Sequence, residues 1–77
     1  MSALIPSERA VLMQVRDLFQ EATARTYRLT ALMSRWPHVH FDAYRAGYAG
    51  LIQKGLLVSS ADGQIFTITP RGLSFMA

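Results

Sequence analysis

His38 and His40, with Asp42 two positions further on, form the densest group of potential metal ligands in the chain. A structural zinc site takes four ligands and a catalytic one three, drawn from Cys, His and carboxylates. An H-x-H pair in a connecting segment supplies two and Asp42 is the only obvious third, so no metal is expected. Ser34, His38 and Asp42 are spaced by four, which on an unbroken helix would align a nucleophile, a base and an orienting carboxylate. Pro37 interrupts that helix, and neither a Gly-rich phosphate loop nor a paired-carboxylate constellation offers another centre. The chain is therefore read as neither an enzyme nor a cofactor carrier.

The remaining chemistry is cationic. Of the 8 Lys and Arg residues all but Lys54 are arginine, and most fall between Arg9 and Arg45. Arginine pairs bidentately with phosphate and with guanine, and a net charge of +3 with a pI near 10.0 mildly favours a polyanionic partner. Arg25, Arg28 and Arg35 cluster around one segment and, with His38, His40 and Lys54, are candidates to grip phosphates. The plainer reading makes them ordinary surface charges.

The elements that must position these groups are few. Seventy-seven residues make a single domain, residues 1–77, and a chain of this size buries only about 60% of its unfolded surface. With no cysteine, the 51% of hydrophobic residues must hold the fold by packing alone. No basic leader precedes an apolar block, and no apolar run approaches the roughly 20 residues that span a bilayer. A cytoplasmic protein without a membrane partner is expected.

Pro6-Ser7 opens a helix of about four turns in which Val11, Leu12, Val15, Leu18, Phe19 and Ala22 recur at spacings of three and four. Glu8, Arg9, Arg16, Asp17 and Glu21 fall on its outer face and read as solvated. "TYRLTALMSRWP" predicts a second helix capped by Thr26, with Leu29, Leu32, Met33 and Trp36 as its stripe and Pro37 at its end. Trp36 is read as core packing rather than as a stacking platform.

"FDAYRAGYAGLIQKG" predicts a third helix with Asp42 at its N-cap and Gly55 as the terminal glycine. Tyr44, Tyr48, Leu51 and Ile52 point one way; Asp42, Arg45, Ala46, Ala49 and Gln53 point the other. Two β-prone runs flank Asp62-Gly63, a strong hairpin signal, with Leu57, Ile65 and Ile68 expected on the buried face. Thr69 and Pro70 then restart a helix of at most one turn. Leu73, Phe75 and Met76 must fold back or find a partner.

Helix, helix, short connection, helix ending in Gly, hairpin: this order resembles the winged helix-turn-helix domain. "L..KGLL", the DG turn and "ITPRG" are similar to the wing region of bacterial regulators of the MarR and PadR kind, and the resemblance covers about residues 8 to 72. It implies an α+β fold, a three-helix bundle with a C-terminal two-stranded wing. The third helix is then expected to enter the major groove while the wing touches the backbone or minor groove. Carried onto this chain, the implied DNA-binding residues are Ala43, Arg45, Ala46, Ala49 and Gln53 with Asp42 on the third helix. Arg25, Arg28, Arg35, His38 and His40 lie around it, and Ala61 through Gln64 form the wing.

The expected function is that of a small transcription regulator of bacterial or phage type, bound to double-stranded DNA as a weak homodimer through the first helix or the C-terminal residues. The alternative is a winged-helix module that binds protein. The third helix offers Arg45 as its one long donor near the N-terminal end, and the tip "ADGQ" carries no cation. Its small residues Ala43, Ala46, Gly47, Ala49 and Gly50 would admit another backbone, either of a partner or of the domain's own core.

Overall fold

The computed structural model describes residues 4–76; Met1–Ala3 and Ala77, the last residue of the apolar tail, lie outside them. Helix α1 (Pro6–Ala22) starts where proline's fixed φ suits the first helical position. Glu8, at the third position, accepts the Ile5 N–H at 3.1 Å and closes the first turn. It ends at Thr23, which takes a left-handed φ of 52° while its N–H bonds the Phe19 carbonyl.

Thr26 does not cap a second helix. Thr26–Arg28 is a strand, β1, and the helix after it, α2, is confined to Leu29–Met33, with Trp36 beyond its end. A β-branched and an aromatic residue favour the extended backbone here. The pairing itself comes from far along the chain: Thr26, Tyr27 and Arg28 stand opposite Thr67, Phe66 and Ile65 of a later strand.

A short 3₁₀ turn, His38–His40, leads into α3 (Phe41–Gln53). The N-cap position of α3 belongs to His40, and Asp42 sits inside the first turn, where a carboxylate still complements the helix dipole. At the other end the expected glycine is in place. Gly55 has φ 77°, its N–H bonds the Ile52 carbonyl and the Leu56 N–H bonds the Leu51 carbonyl, the paired bonds of a Schellman termination.

Strands β2 (Leu57–Ser59) and β3 (Ile65–Ile68) form the expected hairpin, with Gly63 at φ 73°. With β1 they make a three-stranded antiparallel sheet in the order β1-β3-β2, so the expected two-stranded hairpin gains a third strand. Ile65 is not on the buried face. Phe66 and Ile68 are fully buried beside Leu57, and the alternation of a strand then turns Ile65 outward at 38% exposure. Phe19 is likewise only half-buried.

Helix α4 (Pro70–Met76) is longer than the single turn expected. The Thr69 hydroxyl accepts the Gly72 N–H at 3.0 Å and so caps it, while Leu73 and Met76 pack on the core and Phe75 is partly exposed. The architecture is α+β: α1 and α3 pack against each other, α3 also packs on β2, and α4 packs on α1 and β3, around a core that includes Val11, Val15, Leu32, Leu51, Leu56 and Phe66. No helix among the described residues is long and apolar enough to cross a membrane.

Candidate nucleic-acid interface

The outward face of α3 is arranged as its periodicity predicts. Tyr48 and Leu51 are buried and Tyr44 and Ile52 half-buried, while Asp42, Ala43, Arg45, Ala46, Ala49 and Gln53 are exposed. Arg45 makes no ion pair with any described residue.

What holds this face in place is the contact of α3 with α1, where the small residues of α3 are used. A Cβ on Gly47 would overlap the Ser7 carbonyl, and one on Gly50 would overlap Glu8 Oε2. The two glycines therefore serve the domain's own core, and the price of glycine in a helix interior, about 1 kcal/mol each against alanine, is set against close helix packing. Glu8 does not lie on a solvated face. It is 5% exposed, and its Oε1 accepts both the Ile5 N–H and the Lys54 ammonium, which reaches over from the end of α3. Charge-assisted hydrogen bonding from Lys54 is the largest influence on this carboxyl; burial opposes it, and the Ile5 N–H adds to it, leaving the group below its usual range. Sequence reasoning placed Glu8 by helix phase alone. Two glycines three apart, facing the same turn, were the signal that something large would be received there.

The predicted phosphate-gripping residues separate accordingly. Lys54 is engaged by Glu8, and Arg35 forms a 2.8 Å ion pair with Glu21 while its carbonyl accepts from Gln14 Nε2. Arg25 and Arg28 are exposed and form no ion pair among the described residues. Arg28 stands opposite Ile65, and the Leu29 N–H bonds the Gln64 carbonyl at 2.8 Å. A groove of about 580 Å³ thereby opens between the start of α2 and the hairpin tip, lined by Arg28, Leu29, Thr30, Met33, Gln64 and Ile65.

The tip itself is anionic. Asp62 Oδ1 accepts the Ser60 hydroxyl at 2.6 Å and the Gln64 N–H at 3.1 Å, and these bonds, the hydroxyl first, hold the exposed carboxyl below its usual range. No cation stands among Ala61–Gln64 to balance it.

His38 and His40 are exposed on either side of Val39, at the head of α3. Among the described residues no three His, Cys, Asp or Glu side chains gather as metal ligands would. The Ser34 hydroxyl donates to the Ala31 carbonyl at 2.9 Å. Trp36 is buried with its ring edge-on to Phe41, at 5.2 Å between centroids, so it offers no face to a stacked ligand.

Compared with protein-family models, with curated proteins and with solved structures, the chain gives no significant match. The functional reading rests on these residues and their geometry.

Proposed function

We propose that the chain is a winged helix-turn-helix domain that binds duplex DNA through the exposed face of α3, as a small transcription regulator of bacterial or phage type. The observation that carries the reading is the arrangement around α3: a helix seated on α1 by its glycine side, exposing Arg45 and Gln53 outward, and followed by a hairpin whose β3 pairs with both β1 and β2. In this reading α3 lies in the major groove and Arg45 reaches a guanine edge or a nearby phosphate. Arg25 and Arg28 contact the backbone, with His38 and His40 at the head of the helix. Ala43, Ala46 and Ala49 bring apolar contact to base edges. Arg35 takes part only by leaving Glu21. A homodimer places two such helices on two half-sites.

The test is a titration of labelled duplex fragments at several salt concentrations. Three phosphate contacts give a slope of log affinity against log salt of about −3. Arg45→Ala is expected to lose about 1–3 kcal/mol and to relax preference at one base pair, whereas Arg28→Ala weakens all sequences alike. No binding at low salt would remove the reading.

A second reading, a protein-binding module, is favoured by one specific observation: Val39, in the turn just before α3, is 88% exposed, and the hairpin tip carries an anion and no cation. Under it, binding to a protein partner is insensitive to salt and is lost in Val39→Asp.

A further inference from the structure

Glu8 is the one charged residue buried among the described residues, and the proposed interface makes no direct use of it. A carboxylate withdrawn from water is strongly disfavoured unless it is paired and hydrogen-bonded, and an apolar side chain of similar volume often serves stability as well or better. What the carboxylate supplies that a leucine would not is direction. Its Oε1 accepts from Ile5, just before α1, and from Lys54, just after α3, while its Oε2 occupies the space left by the missing Cβ of Gly50. One turn earlier in α3, Gly47 rests on the Ser7 carbonyl. Two successive contacts, one of them made by oriented hydrogen bonds, fix both the rotation of α3 and its position along α1. Packed apolar surfaces alone tolerate more rearrangement.

We propose that Glu8 is a positioning residue for the exposed face of α3: through Lys54 and Gly50 it sets the rotation at which Arg45, Ala46 and Ala49 are presented, and Lys54 serves this clamp rather than a phosphate. The inference rests on the reading of α3 as the DNA-contacting helix and deepens it, by assigning two charged residues outside the contact face to the geometry of that face.

The experiment uses the full chain with Glu8→Gln, Lys54→Gln and the double variant, at a temperature where circular dichroism shows each to be folded. Each single variant is expected to bind duplex about tenfold more weakly, and the double variant no more weakly than either, the non-additivity of two residues that act through one contact. The salt slope stays that of the wild type in all three. A Lys54→Gln slope shallower by about 0.9 marks Lys54 as a phosphate contact and overturns the proposal. Unchanged affinity of folded Glu8→Gln overturns it equally.

A second arm needs no DNA. Amide chemical shifts of residues 43–49 move in Glu8→Gln if the carboxylate sets the helix, and shifts confined to the neighbours of residues 5–8 and 50–54 overturn the proposal. A wild type that binds no duplex sinks the DNA reading, and this arm still decides the positioning. Should Glu8→Gln not fold, Glu8→Leu with Lys54→Met fills the site with apolar bulk and carries the same shift measurement.

Discussion

On its inner side α3 meets α1 through Gly47 and Gly50, close enough that a methyl group at either would overlap a neighbour, and buries Tyr48 and Leu51 in the core. On its outer side Asp42, Arg45, Ala46, Ala49 and Gln53 stand exposed, and the arginine has no ionic partner among the described residues. The two sides belong to one helix and one stretch of sequence, yet only the inner one is dictated by the fold. Every inner residue type follows from what it touches. Apart from Asp42, whose carboxylate complements the helix dipole, the outer types follow from nothing within the domain, so they are where function must be sought.

The comparison breaks most readily on the inner side. Leu51 is fully buried, and Leu51→Ala is expected to cost about 2–5 kcal/mol, a large share of the roughly 4–12 kcal/mol available to a chain of this length; urea denaturation measures it. Gly47→Ala comes next. Alanine is the better helix former by about 1 kcal/mol, but its methyl meets the Ser7 backbone rather than a flexible side chain. A net loss of about 1–3 kcal/mol is expected, and a stabilised variant would show that α1 and α3 can separate freely.

The third prediction concerns acid. Because the folded-state pKa of Glu8 is depressed by Lys54 and the Ile5 N–H, its contribution is present above the unfolded pKa of about 4.3 and is lost as pH falls through the folded value. Glu8→Gln should therefore lose stability at neutral pH, by about 1–3 kcal/mol, and the gap from the wild type should begin to narrow below about pH 4.3, where the unfolded carboxyl takes up its proton, and close once the native carboxylate is protonated too. Thermal melts from neutral to acid pH check this, and a constant gap would contradict it. The smallest effect is on the outer side: Ala46→Gln should change stability by less than about 0.5 kcal/mol, whatever it does to binding.

What could be read from the sequence follows the same division between local and distant causes. Pro6, Gly55, Asp62-Gly63 and Thr69-Pro70 act on their own backbone or that of the next few residues, and each is found at the boundary it announces. The outer face of α3 was legible because helical phase alone places it. Thr26–Arg28 was not, because its conformation is completed by Thr67, Phe66 and Ile65. In "IFTI" both alternation parities offer a large apolar side chain, and the choice falls to Phe66, whose ring meets those of Tyr27 and Tyr48. Glu8 reads as a solvent-facing charge and Lys54 as a phosphate contact, since the one local hint, the paired Gly47 and Gly50, does not say which side chain α3 receives.

Leu56 has a further consequence. Its N–H closes the end of α3 on the Leu51 carbonyl, while its own carbonyl accepts the Thr69 N–H at 3.2 Å and the Thr69 hydroxyl at 3.0 Å and lies where Gly72 has no side chain. The end of one helix and the start of another are thus fastened to opposite sides of a single peptide-linked residue. Neither can detach without loosening the other. In native-state hydrogen exchange the amides of Leu56, Thr69 and Gly72 should open together as one cooperative unit, so that the last helix behaves as a bolt on α3 rather than as a fraying tail.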